Sequence, residues 1–231
     1  MKLNGIKLLT IDLDDTLWPC LPTIQHAEQT SYHWLQKHKP NITHCYTPQD
    51  LLEKRRSLMN ETPHLQHDLS EARRAHFRQL ADECGYDHGW VDEGFRVFHS
   101  ARQKVKLYED VLPSLSQLRE RFKLVALTNG NAEISRVGLA EYFDLQISAA
   151  DVTQGKPHPA MFIEAMARVR VTPEQTVHIG DHAIHDVYGA HNAGIRSIWV
   201  NRVNQRWQEA EFQADFEVTD LQQVVVLLDE T

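Results

Sequence analysis

Hydrophobic positions along this chain follow two periods. Ile6–Ile11 is a short apolar run, interrupted by Lys7, that stops at Asp12-Leu13-Asp14-Asp15. A brief run ended by carboxylates predicts a buried strand. Residues 23–38, 47–59, 69–84 and 90–104 then repeat with helical spacing. Thr47-Pro48-Gln49-Asp50 supplies a helix start, with Thr47 as N-cap, Pro48 at the first helical position and an acid in the first turn. Pro40, Pro63 and the Gly85/Gly89 pair punctuate these helices. From Leu107 onward the pattern alternates. It predicts helix 111–121, strand 123–127, helix 132–140, strand 144–148, helix 159–168, strand 176–179, helix 186–193 and strand 196–200, then strand Phe216–Val218 and helix Leu221–Leu228. Such alternation means βαβ units on a parallel sheet. The expected fold is therefore α/β, a Rossmann-like doubly wound parallel sheet. Residues 1–16 and 106–231 form its core, and an all-helical block, 17–105, is inserted after the first strand.

Charge divides the chain along the same lines. The inserted block carries eleven acidic and eleven basic residues, so the net −8 rests entirely on the core segments. A net acidic chain is a poor general nucleic-acid binder. The longest stretch without a formal charge, Thr16–Ala27, contains Pro19 and Pro22 and falls short of the roughly 20 apolar residues a membrane span needs. The first apolar run leads into carboxylates rather than small residues and a cleavage site, so no export signal is expected. Three cysteines without a Cys-x-x-Cys argue against a disulfide framework and a thiolate zinc site. A reducing cytoplasm is the compartment they suit.

In doubly wound sheets ligands bind beyond the carboxyl ends of the strands. Polar clusters stand at those ends: Asp12-Leu13-Asp14-Asp15-Thr16, Thr128-Asn129-Gly130, Gly155-Lys156-Pro157, and Gly180-Asp181 with Asp186 five residues on. Several carboxylates converging on one point repel each other unless they are neutralised. A hard divalent cation, Mg²⁺ above all, removes that conflict and lets a carboxylate approach a phosphate. Lys156 adds positive charge for the transferring group, and Thr128 can donate its hydroxyl to a phosphate oxygen. Asp12 then serves as covalent nucleophile. Asp14 can protonate the leaving alcohol and later deprotonate water.

Asp12-x-Asp14-x-Thr16, Thr128-Asn129, Lys156-Pro157 and Gly180-Asp181-(x4)-Asp186 resemble, in order and spacing, the four motifs of the haloacid dehalogenase-like hydrolases, and the block after the first motif resembles that family's C1 cap. The resemblance spans essentially the whole chain. It implies that Asp12 is nucleophile and Mg²⁺ ligand, and that Asp14 is acid/base and binds the metal through its carbonyl. It implies that Thr128 and Asn129 contact the phosphate, that Lys156 ties nucleophile to phosphate, and that Asp181 completes the metal shell, with Asp186 and Thr16 supporting it from behind. Two positions depart from the pattern. His185 stands where Asn is frequent before the last acid, and Asp151 lies five residues before Lys156 where a Glu-x-Gly-x-Lys-Pro spacing is frequent. The dehalogenating branch lacks an acid at the position of Asp14, since halide needs no protonation. The resemblance therefore implies a phosphatase on a small soluble phosphate ester, as a monomer or homodimer. It is nearest to flavin mononucleotide and ribitylaminouracil-phosphate phosphatases and pyrimidine 5′-nucleotidases.

Other readings stay open. A non-enzymatic phosphoacceptor or binding module on the same fold would use the same residues, and a dehalogenase would use Asp12. His178, His182 and His185 cluster, and His185-Asp186 is similar to the His-Asp pair of an all-helical metal phosphohydrolase family. Here the pair follows a strand, so these histidines are not expected to be ligands. Nine further histidines in 17–105 read as surface or cap-packing residues. Trp18 reads as cap or hinge core, or as a contact to the leaving group. The pairs Arg55/Arg56 and Arg73/Arg74 read as solvated helix faces, or as a surface for an anionic substrate.

Overall fold

The computed structural model describes residues 3–152 and 154–229. The chain divides into two compact units, Met1–Pro19 with Lys106–Thr231, and Cys20–Val105. In the first unit six strands form one parallel sheet: β1 (Leu8–Ile11), β2 (Lys123–Thr128), β3 (Leu145–Ser148), β4 (Thr176–Gly180), β5 (Arg196–Val200) and β6 (Phe216–Val218). Their order is β3-β2-β1-β4-β5-β6, with every pair parallel. All four residues of β1 are buried, as expected of a strand with a neighbour on each side and helices over both faces. Leu8, Val125, Leu127 and Ile147 pack with Met161, Phe162, Ala165 and Met166 of helix α7 (Ala160–Val169). Helix α6 (Val111–Arg119) lies against α9 (Leu221–Asp229). Both bury an aliphatic stripe, including Leu115, Leu118, Val224 and Leu228.

The second unit is helical: α1 (Cys20–His38), α2 (Pro40–Cys45), α3 (Pro48–Glu61), α4 (Leu69–Cys84) and α5 (Val91–Arg102). Thr47 opens α3 as expected, through a reciprocal cap in which its hydroxyl accepts from the Asp50 amide and the Asp50 carboxylate accepts from the Thr47 amide. Leu35, Phe77, Leu80 and Trp90 centre its core. Beside that core lies a charged cluster. Glu28 of α1 accepts from Arg73 of α4 at both oxygens (2.8 and 2.6 Å) and from Arg55 of α3 at 2.8 Å. The arginines hold Glu28 at a pKa of about 2 despite its burial. His76 is 1% exposed, and both its ring nitrogens lack a hydrogen-bond partner. Burial, then the neighbouring Arg55 and Arg73 charges, lower it to about 3.

Two expected helices differ. Residues 132–140 form turns instead of a helix. The Gln146 amide on β3 takes the N–H of Ile134 (2.8 Å) and the carbonyl of Ala132 (2.7 Å), the latter a group a helix would need for its own ladder, and Gly138 sits at φ 83°. The helix expected at 186–193 is instead a π-helical turn, Ala183–Tyr188, running into a short α8, Gly189–Asn192. Helix α1 begins three residues before its expected start, with Pro22 in its first turn, where a missing N–H is tolerated. Helix α2 and a 3₁₀ turn at Pro63–Gln66 occupy stretches read only as punctuation.

Candidate active site

The strand register brings the expected residues to one edge. Ile11 pairs with Ala126 on β2 and with Ile179 on β4. Asp12 therefore follows level with Leu127 and Gly180, and Thr128 and Asp181 stand one step beyond. The Asp12 N–H donates to the Ile179 carbonyl at 2.9 Å, carrying the ladder one residue past β1. Asp12, Lys156 and Asp186 are all buried there.

Lys156 is the centre of this group. Its ammonium donates to Asp12 Oδ1 (2.5 Å), Asp186 Oδ1 (2.6 Å) and the Leu127 carbonyl (2.9 Å). An ammonium has three hydrogens, and all three are committed. Its backbone is clamped as well. Asn129 Oδ1 accepts from the Lys156 N–H at 2.8 Å, and Asn129 Nδ2 donates to the Lys156 carbonyl at 2.7 Å. The peptide to Pro157 is cis. Gly155 permits this approach, since a Cβ there would meet Asn129 Oδ1 at 2.5 Å. Asn129, expected at the phosphate, thus spends its amide on the lysine backbone. Asp151, five residues before Lys156, accepts from the N–H and hydroxyl of Ser148.

Thr16 joins the two remaining acids. Its hydroxyl lies 3.3 Å from Asp12 Oδ2 and 3.0 Å from Asp181 Oδ1, so one hydrogen serves two carboxylates. Asp186, in the π-helical turn, accepts at Oδ2 from the His182 N–H (2.9 Å) and at Oδ1 from Lys156 and from His178 Nε2 (3.0 Å). Gly180 leaves room for it, because a Cβ there would fall on the Asp186 carboxyl. Thr128 Oγ1 accepts from the Gly130 N–H at 2.9 Å, and its own hydrogen can still be donated.

Burial raises Asp12 well above the usual carboxylate range; Lys156 opposes the shift, and Asp186 and Asp181 add to it. Burial and the charge of Asp186 push Asp181 up to about 7. Asp186 goes the other way: against its burial, Lys156 and His178 hold it ionised, below the usual range. Lys156 is held protonated by Asp12 and Asp186 against the pull of burial. Three carboxylates therefore share one ammonium, and the surplus negative charge falls on Asp12 and Asp181. Oxygens of Asp12, Asp181 and Asp186 lie within 4.8 Å of one another. A set of hard oxygen donors with unneutralised charge suits a small divalent cation. Asp186 has its oxygens taken up by three donors, so Asp12 and Asp181 are the carboxylates better placed to ligate. A cavity of about 270 Å³, lined by Asp15, Tyr108 and Asp181 among others, opens beside them.

Asp14 sits on the same loop, its Oδ1 accepting from the Trp18 indole N–H at 2.8 Å. Trp18 is fully buried and holds that carboxylate, a role the sequence reading did not anticipate. The spacing of four residues within one tight loop is the only sequence signal for it. His182 Nδ1 caps the π-helical turn by accepting from the Ile184 and His185 amides. The metal-capable cluster found among the described residues contains no histidine.

A parallel sheet whose carboxyl edge gathers a buried aspartate, a lysine with no hydrogen to spare and two further acids places a metal-capable carboxylate cluster where such sheets bind their ligands. The chain belongs to the haloacid dehalogenase-like hydrolases, whose family model matches residues 6–194. It is 28% identical over 206 residues to the 5-amino-6-(5-phospho-D-ribitylamino)uracil phosphatase YigB of Escherichia coli (strain K12), covering 87% of this chain and 86% of that one. It is 29% identical over 226 residues to a glyceraldehyde 3-phosphate phosphatase of Methanopyrus kandleri, covering 94% and 92%. Among solved structures, a 2-haloacid dehalogenase from Pseudomonas syringae pv. Tomato DC3000 superposes with a TM-score of 0.91 at 38% identity, covering 97% of this chain and 99% of that one. Among the described residues no helix is long and apolar enough to cross a membrane.

Proposed function

We propose that this protein is a Mg²⁺-dependent phosphomonoester hydrolase acting on a small phosphorylated metabolite through an aspartyl-phosphate on Asp12. The observation that carries this reading is the single hydrogen-bonded cluster joining Asp12, Lys156, Asp186, Thr16 and Asp181 at the carboxyl edge of the sheet. Asp14 stands two residues from the nucleophile. Asp12 Oδ1 is occupied by Lys156, so Oδ2 is the oxygen that attacks phosphorus. Asp14 protonates the departing alcohol oxygen, and as a carboxylate it then takes a proton from the water that cleaves the acyl phosphate. Thr128 donates its hydroxyl to a phosphate oxygen. Lys156 acts through Asp12, and Asn129 fixes the lysine backbone. Asp12, Asp181 and the Asp14 carbonyl would hold Mg²⁺, which when bound neutralises charge between nucleophile and phosphate.

The 2-haloacid dehalogenase likeness supports a second reading, displacement of halide by Asp12. Asp14 favours the first, since an alkoxide needs a proton and a halide does not. The test is a panel assayed with Mg²⁺: ribitylaminouracil phosphate, flavin mononucleotide, pyrimidine nucleotides, glyceraldehyde 3-phosphate, phosphoserine and 2-haloacids. Phosphate release by the parent protein and its loss in Asp12→Asn support the proposal. Halide release without phosphate release, or an Asp12→Asn protein that keeps the parent rate, overturns it.

A further inference from the structure

On the phosphatase reading above, we propose that His178 is a positioning residue of this centre: its Nε2–H fixes the Asp186 carboxylate, and through Lys156 that carboxylate fixes which oxygen of Asp12 faces phosphorus. His178 lies on β4 with no exposure. Its Nε2 is 3.0 Å from Asp186 Oδ1 and its Nδ1 is 2.9 Å from Thr10 Oγ1 on β1. The Phe162 ring stands edge-on at 4.9 Å and 90°, which holds the imidazole plane.

These neighbours select one tautomer. An ionised carboxylate only accepts, so Nε2 carries the hydrogen. Thr10 then gives its hydroxyl hydrogen to Nδ1 at 2.9 Å rather than to the Val177 carbonyl at 3.4 Å. Burial keeps the ring neutral, below its ordinary pKa, against the pull of Asp186. Asp186 therefore has three donors: the His182 amide at Oδ2, and His178 and Lys156 together at Oδ1. Without the Nε2–H, the carboxylate can pivot about the His182 amide. Its oxygen then leaves the Lys156 ammonium, and the ammonium loses the constraint that places it 2.5 Å from Asp12 Oδ1. His178 touches neither phosphate nor leaving group, so its effect falls on kcat.

Amide side chains separate this role from simple packing. A glutamine in place of His178 can present an N–H where Nε2 stands; an asparagine reaches only the Nδ1 position, toward Thr10. With Mg²⁺ and an aryl phosphate, His178→Asn and His178→Leu should lose about 10- to 100-fold in kcat, the range for a hydrogen bond to a charged group. KM should hold within about twofold. His178→Gln should recover most of the loss, and Thr10→Val should lie between. Nitrogen-15 histidine NMR of the parent protein should show His178 as the neutral Nε2–H tautomer with a solvent-protected proton. Equal kcat for the glutamine and asparagine variants, or an Nδ1–H tautomer, overturns the proposal. A parent protein inert toward every phosphate ester sinks the functional reading instead, and the tautomer still decides whether His178 holds Asp186.

Discussion

Replacing His76 with leucine should remove most of the acid sensitivity of the helical unit. Its imidazole is held at about 3, against an ordinary 6.5. This is a base whose folded pKa is depressed. Between those values the unfolded chain binds a proton that the folded chain refuses, so stability is complete above 6.5 and falls as pH drops toward 3. At pH 5 the loss is 1.5 pK units, about 2 kcal/mol at 1.36 kcal/mol per unit. At pH 5 Glu28 adds little. Its carboxyl is mostly ionised in both states above its ordinary 4.5, and its contribution is lost mainly below that, toward 2. Leucine is similar in volume and leaves no buried nitrogen without a partner, so at pH 7.5 the variant should lie within about 1 kcal/mol of the parent. Urea unfolding at pH 7.5 and 5.0, with hydrogen exchange of the α4 amides as the local probe, measures the difference. The parent should lose about 2 kcal/mol more than His76→Leu between the two pH values. Parallel losses would refute the burial argument.

Three further substitutions probe the core unit. Trp18→Phe keeps the ring but removes the N–H that holds Asp14 Oδ1; it should slow alkyl phosphates by about tenfold, for one hydrogen bond to a charged group, and aryl phosphates much less. Equal slowing of both would count against a proton-transfer role for Asp14. Gly180→Ala drives a methyl into the Asp186 carboxyl; expected outcomes are loss of activity and about 1–3 kcal/mol of stability, read by calorimetry alongside turnover. Arg202 forks onto Asp110 at 3.0 and 2.9 Å, donates to the Thr16 carbonyl at 2.9 Å and stacks over Tyr108. Arg202→Lys keeps the charge but not the fork, so it should be closer to Arg202→Ala than to the parent in denaturant midpoint.

The parts of this molecule that were legible in the sequence are those in which a residue's neighbours in the chain are also its physical constraint. Buried strands such as Leu8–Ile11 show as short, mostly apolar runs, and residues at strand ends inherit their location from the sheet. Segment 132–140 has helical spacing, yet a single glutamine from a later strand outcompetes its ladder. Nothing local announces that competitor. Asn129 fits a phosphate-binding motif by position, but its amide faces a backbone 27 residues away. Thr10 and His178 are polar residues buried in neighbouring strands. Their pairing needed the register between β1 and β4.

The placement of β1 also dictates an order of assembly. Leu8 pairs with Lys123 and with Thr176, 115 and 168 positions later. At roughly 5–20 residues per second, a ribosome takes on the order of 10–30 s to deliver the second partner. Through that interval the innermost strand waits with its apolar side chains unpaired, while the helices of Cys20–Val105 emerge with most of their own contacts already in hand. The carboxyl edge that carries Asp12 accordingly lacks its β4 neighbour, and the acids Asp181 and Asp186 beyond it, until most of the chain has been made.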